Sequence, residues 1–295
     1  MMFKKVLFHT HFRELALNSL KTILELKKTG LESIVLTHII PRDEVSFVPY
    51  GGYLKETERQ MKAEARMRFE DWQKIIAQQG IKSHIRIQVG APNAEILSIA
   101  EKEDVDLIVI GRKKRTLMEK VYVGAHIMDI LRRSRVPVLM SKYMVQFEWE
   151  DEQLTRTNEH IFDRPMLATD WSRPSENAMQ GMSALKGLAE TVLLVHVIDS
   201  KLSKGMDRDR LGTIEKESKL RLKHYCQSIE KFGMNAEYHL SAGKTVQELV
   251  RLSRDHKASM IVMGKTGKDW FQQYWLGGVS HQIAELSELP VLLIP

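Results

Sequence analysis

Residues 263–290, MGKTGKDWFQQYWLGGVSHQIAELSELP, hold the glycine spacing in this chain that could do chemistry. Gly264 and Gly267 flank two residues, and nine more precede Gly277 and Gly278. Glycine at 264 and 267 lets the backbone turn with positive φ and come close to a ligand. Gly277 and Gly278 open a predicted helix over 279–286, whose unpaired N–H groups and positive dipole end favour an anion. The chemistry on offer is the seating of a phosphate chain on backbone amides. Lys265 and Lys268 either add positive charge beside it or face solvent as loop lysines.

The elements that must position this loop occur twice. Residues 106–137 (DLIVIG…GAHIMDILRRSRVP) match 259–290 (SMIVMG…GGVSHQIAELSELP) without a gap. Gly111 falls on Gly264, Gly124 on Gly277 and Pro137 on Pro290. Upstream, ESIVLTHII at 32–40 matches ETVLLVHVI at 190–198, and KKVLFHT matches RPMLATD. Self-similarity on this scale marks a tandem duplication of a unit of roughly 140 residues, the size of one domain.

Short apolar runs predict strands over 3–9, 33–39, 82–89, 107–110 and 136–141 in the first copy, and over 166–169, 192–197, 236–240, 260–263 and 291–294 in the second. Helical periodicity places helices over 13–28, 54–79, 92–103 and 125–133, then over 175–188, 207–232, 246–255 and 279–286. Pro49 and Gly51-Gly52 make 45–52 a predicted loop. Continuous apolar strands alternating with helices imply parallel sheets covered on both faces. The expected fold class is α/β: two tandem doubly wound domains, each a five-stranded parallel sheet with helices on both faces, packed as a pseudo-two-fold pair. The domains are 1–142 and 163–295. Residues 143–162, polar and acidic in the middle, have no counterpart within a copy and read as the linker. Ligands of such sheets bind beyond the carboxyl ends of the strands, where the glycine loops fall.

The length of 295 residues accommodates both domains, and 43% apolar with 28% charged residues is an ordinary globular composition. The net charge of +6 is a modest excess that does not demand nucleic acid; 113–115 and Arg132, Arg133 and Arg135 read as solvated surface. A single Cys226 forms no internal disulfide and suggests a reducing compartment. The first residues lack a long apolar segment of the signal-peptide kind, and no apolar run approaches the ~20 residues of a membrane span. The expected location is the cytoplasm.

The loop resembles the nucleotide loop of the universal stress protein family, Gly-x2-Gly-x9-Gly-(Ser/Thr) after a hydrophobic strand. The resemblance extends through the second copy. Ala168-Thr169-Asp170 is similar to the family's (Ala/Pro)-Thr-Asp, and His196-Val197 to its His-Val. It implies that the backbone there and Asp170 approach an adenosine and that Val197 contacts adenine. It also implies that Met263, Gly264, Lys265, Gly267, Lys268, Gly277, Gly278, Val279 and Ser280 serve the base edge and phosphates. The family's dimer joins through the last strand, which implies pairing of 137–141 with 290–294. One position departs: Gly278 stands where the family has Ser or Thr. A hydroxyl there would bond a phosphate, a contact to a charged group worth ~1.5–3 kcal/mol; Ser280 or the freed N–H compensates in part.

The first copy looks eroded. Lys114 replaces the second glycine, where a left-handed backbone costs a non-glycine residue ~1–2 kcal/mol. Ala125 replaces the Ser/Thr, and Thr10 stands about where Asp170 does. Side chains of 112–115 could hold an anion, but no ordinary ATP site is expected.

These readings converge on a stress-response protein that binds ATP or AMP, with or without magnesium, in the second domain and acts as a regulatory or sensor module without established catalysis. Two alternatives stay open: a nucleotide-free protein-interaction module, and a weak ATPase in which Asp170 is the one evident carboxylate. The expected partners are an adenine nucleotide and a protein, without nucleic acid or membrane; further homodimerisation of the tandem chain is open. Gly243-Lys244-Thr245 resembles the end of a P-loop, but Tyr238 stands where that motif needs glycine, so it reads as a turn. His9 and His11 could present two imidazoles, with no further ligand spaced for zinc, and no metal site is assigned. His38 and His196 read as strand-end histidines with packing or backbone-bonding roles.

Overall fold

The structure, a computed structural model, describes residues 2–13, 15–47, 52–111, 125–149, 152–200, 205–265 and 278–295. In the first copy the strands are β1 Lys5–His9, β2 Ser33–Pro41, β5 Lys82–Gly90, β6 Leu107–Gly111 and β7 Val138–Ser141, with a short hairpin β3 Ser46–Phe47 and β4 Gly52–Tyr53. Its helices are α1 Ala16–Leu24, α2 Lys55–Gln78, α3 Pro92–Lys102 and α4 Ala125–Arg133. A second hairpin follows, β8 Met144–Trp149 with β9 Glu152–Thr157. The second copy has β10 Pro165–Ala168, β11 Thr191–Asp199, β12 Asn235–Gly243, β13 Met260–Gly264 and β14 Val291–Ile294. Its helices are α5 Arg173–Gly181, α6 Arg208–Lys231, α7 Thr245–Asp255 and α8 Val279–Leu286.

Each copy is a parallel sheet with its first strand central, in the orders β5-β2-β1-β6-β7 and β12-β11-β10-β13-β14. Strand side chains alternate between faces. Val6 and Phe8 pack with α1 and α2, while Leu7 packs with α3 and α4. In the second copy Leu167 turns towards α5 and α6, and Met166 and Ala168 towards α7 and α8. This two-sided burial explains why the central strands read as unbroken apolar runs.

Several expected elements differ in detail. The helix expected over 13–28 is α1 followed by a 3-10 segment, Glu25–Thr29, and the one expected over 175–188 is α5 followed by Met182–Leu185. In both, the tighter turn ends the helix ahead of a glycine. The stretch expected as a loop at 45–52 carries the small β3–β4 pair. The segment read as a linker is a β-hairpin, in register from Met144↔Thr157 to Trp149↔Glu152. Its alternating apolar residues Val145, Phe147 and Trp149 are followed by the charged and polar run 150–153, which hid the strand signal.

The two copies form one ten-stranded sheet. β7 and β14 pair antiparallel, Val291 opposite Met140, Leu292 opposite Leu139 and Leu293 opposite Val138, as the expected pairing of the last strands requires. Buried residues of both copies share each apolar cluster, with Leu139, Ile161, Phe162 and Leu292 in the same one. Polar ties cross the same seam. Lys265 Nζ donates to the Ser134 carbonyl at 2.6 Å, and Lys142 Nζ donates to the Ser287 carbonyl. Ser134 follows α4 and Ser287 caps α8, at matching positions of the two copies. Each lysine therefore places its charge on the negative carbonyl end of a helix in the other copy. His160, in the segment between the copies, pairs with Glu25 of the first at 2.6 Å.

Leu139 is wholly buried at the centre of this seam. Leu139→Ala is expected to cost about 2–5 kcal/mol. Because the cluster spans both copies, the loss should lower a single unfolding transition in urea followed by tryptophan fluorescence, rather than split it into two.

Candidate functional site

In the second copy the strand order reverses between β10 and β13, because α5 leaves β10 towards one face while α8 lies on the other. Such a switch point opens a crevice beyond the carboxyl ends of the strands. Three strand ends meet there: Ala168 lies beside Val195 of β11 and Met263 of β13. Val197 lies two residues further along β11, on the same face as Val195. Ala168, Val197 and Met263 make an apolar, nearly buried floor.

The polar residues above that floor hold one another. The buried Thr169 hydroxyl donates to Ser175 Oγ at 3.1 Å and accepts the Trp171 N–H at 3.2 Å. Asp170 Oδ1 accepts from the N–H and the hydroxyl of Ser172, at 3.0 and 2.5 Å. Ser172 is the N-cap of α5, so the carboxylate sits by the positive end of that helix. Between them Trp171 takes a left-handed backbone, φ 65°.

Trp171 is the site residue that sequence reading missed. Its indole N–H donates to His196 Nε2 at 3.2 Å, its ring lies 4.7 Å from that imidazole, and the Arg221 guanidinium lies over it at 5.6 Å. His196 Nδ1 bonds the Thr169 carbonyl at 2.8 Å. A carbonyl only accepts, so Nδ1 carries the proton and Nε2 the lone pair that receives the indole. The backbone-bonding role expected of His196 and His38 is present in both copies, since His38 Nδ1 bonds the Thr10 carbonyl at 2.9 Å.

On the loop side, a Cβ at Gly264 would lie 2.5 Å from the Pro174 carbonyl carbon and 2.7 Å from the Ser175 nitrogen. The glycine lets the first turn of α5 close onto β13; the close approach there is to protein backbone. Lys265, expected beside phosphates, points into the seam on Ser134 and is half-buried. Burial lowers its pKa from 10.5 to about 8. Ser280, expected at a phosphate, is buried and donates to the Lys265 carbonyl at 2.8 Å. The Lys265 N–H in turn donates to the Ile294 carbonyl at 2.7 Å. These bonds pin both ends of the loop. Gly267, Lys268 and Gly277 lie outside the described residues.

Gly278 is the N-cap of α8, with no side-chain cap bond, and Val279 packs its side chain on the core beneath. Among the described residues a Cβ at 278 would meet nothing within 4 Å, and φ −75° suits any residue. The cap of α8 thus offers its first amides no side-chain acceptor.

The first copy corrects one expected correspondence. Thr10 N–H bonds the Thr37 carbonyl as Thr169 N–H bonds Val195, and Thr10 Oγ1 accepts the Phe12 N–H as Thr169 accepts Trp171. Thr10 is thus the counterpart of Thr169, and His11 that of Asp170; similarity alone misplaced the position by one residue. His9 takes the place of Ala168 and is buried, and burial with His11 and His38 nearby lowers its pKa to about 3. Lys114 and Arg115 lie outside the described residues.

Two tandem doubly wound units, joined through their last strands into one sheet, define the class of the molecule. The universal stress protein family model matches residues 2–142 and again 162–295, and the chain belongs to that family. It is 30% identical over 155 residues to universal stress protein MJ0577 of Methanocaldococcus jannaschii, a match covering 48% of this chain and 96% of that protein. It is 23% identical over 141 residues to MJ0531 of the same organism, covering 48% and 83%. A universal stress protein of Archaeoglobus fulgidus shares the fold over 100% of this chain and 99% of its own, with TM-score 0.73 and 21% identity.

Gly264→Ala is expected to cost about 1–3 kcal/mol as an overpacked contact. Gly111→Ala, at the matching position with no described residue within 4 Å of its added Cβ, should stay within about 0.5 kcal/mol; paired urea titrations compare them. Lys265 binds its proton less tightly folded than unfolded, so its contribution to stability rises with pH between about 8 and 10.5. Lys265→Met should lose that rise in denaturation midpoints measured across the window.

Proposed function

We propose that the second copy binds one adenine nucleotide, ATP or AMP, and that the chain is a cytoplasmic stress-response module whose first copy is structural or docks a protein. What carries this reading is the apolar set of strand ends, Ala168, Val197 and Met263, at the switch point, followed after β13 by α8, whose cap residue Gly278 makes no side-chain bond. An adenine fits the floor, and phosphates fit the amides of 278–280. Asp170, held by Ser172, faces a ribose in the manner the family pattern implies. Magnesium would arrive on the phosphates. Cys226, a buried thiol pushed up to about 11 by burial, fits a reducing compartment.

A second reading, a nucleotide-free interaction module, draws on Lys265 and Ser280, which are both engaged within the protein. Gly278→Ser separates the two. It restores the family's hydroxyl at a position where an added Cβ meets no described residue, and a bond to a charged group of ~1.5–3 kcal/mol should tighten nucleotide binding by about tenfold or more. Calorimetry of the full chain with ATP and with AMP should show one site that the variant strengthens. No heat from either nucleotide, in the native chain and the variant alike, would leave the interaction module.

A further inference from the structure

At the ligand face of the first copy two imidazoles converge where the second copy has Ala168 and Asp170. His9 Nε2 and His11 Nε2 lie 3.3 Å apart. Without a metal the two nitrogens share a hydrogen bond. The same separation also suits two nitrogens on one tetrahedral ion, since Zn–N bonds of about 2.0–2.1 Å set ligand atoms about 3.3–3.4 Å apart. We propose that His9 and His11 form a two-imidazole site for a divalent first-row metal ion of the zinc, copper and nickel class, with water completing its coordination.

The surroundings suit such a site. His9 Nδ1 donates to the Thr37 carbonyl at 3.2 Å, which leaves the Nε2 lone pair directed at His11. Metal-bound histidines are characteristically held this way, by an N–H to a backbone carbonyl on the far side of the ring. The His9 ring is buried and fixed, while His11 reaches solvent and gives the ion a way in. Thr37, the cross-strand neighbour of His9, has a buried hydroxyl without a hydrogen-bond partner among the described residues. Its counterpart in the second copy is Val195. The first copy has thus exchanged Ala and Val for His and Thr on one buried face, and buried polar groups are costly without partners. Imidazole ligands select zinc, copper and nickel over magnesium and calcium. Among the described residues no three His, Cys, Asp or Glu side chains are grouped to hold a metal, so the ion rests on these two and on water.

The test is calorimetric titration of the full, nucleotide-free chain with zinc chloride, with copper(II) paramagnetic resonance as a second readout. The native chain should bind one zinc ion, and copper should show nitrogen hyperfine structure from two imidazoles. His11→Ala, an exposed substitution, should weaken zinc by at least about tenfold, the lower bound for losing even an outer partner of a metal site. It should also remove one nitrogen from the copper spectrum. His256→Ala, which breaks the other close imidazole pair, with His239 at 5.1 Å, should change neither. Absence of saturable zinc binding, or binding that survives His11→Ala and disappears with His256→Ala, would overturn the assignment.

Discussion

The antiparallel pairing of β7 with β14 is the constraint on which the molecule depends. It turns two five-stranded sheets into one and covers two edges that would otherwise seek partners. The backbone ladder is short, so the seam draws strength from what packs around it. Leu139 and Leu292 face each other within an apolar cluster common to both copies. Lys142 and Lys265 then set ammonium groups on the last carbonyls of the opposite copy's α8 and α4. An ammonium lowered to about 8 by burial is a cost, and the helix-end carbonyl offsets it. Because Lys265 also begins the glycine loop, the seam and the ligand face share a residue. The Ser280 hydroxyl on the Lys265 carbonyl carries that link to the start of α8.

On this common frame the copies have diverged at matching positions. The second keeps small or apolar residues at its strand ends, Ala168, Val195 and Met263, with Asp170 above them. The first has His9, Thr37 and Ile110 there, with His11 in place of Asp170. The pair Trp171–His196 becomes Phe12–His38, which keeps a tilted ring contact at 5.0 Å but loses the indole donor. Arg68 over Phe12 and Arg221 over Trp171 preserve one cationic contact in both. Duplication preserved the scaffold and released the chemistry of each ligand face.

Much of the architecture was legible because the repeat doubles every signal. Buried strands are apolar runs whichever copy they sit in, and the gapless match of 106–137 with 259–290 aligns β6 with β13 and ends on the prolines just before β7 and β14. What escaped depends on contacts far apart in sequence. Gly264 reads as a ligand-approach glycine until α5 is seen against it. Lys265 reads as a phosphate partner until Ser134 appears across the seam. The hairpin β8–β9 was hidden by charge, and the His11–Asp170 correspondence needed the register of β1 against β2. Trp171 carried no local signal, since its role depends on a left-handed backbone and on His196.

The central claim is that the two ligand faces are unequal and that the second one seats the nucleotide. Photocrosslinking the full chain with 8-azido-ATP, followed by peptide mapping, tests it most directly. The account predicts label in peptides that carry 168–171, 196–197 or 263–280, competed by ATP. Competed label confined to peptides around 9–12, 37–38 or 111–125 would contradict it.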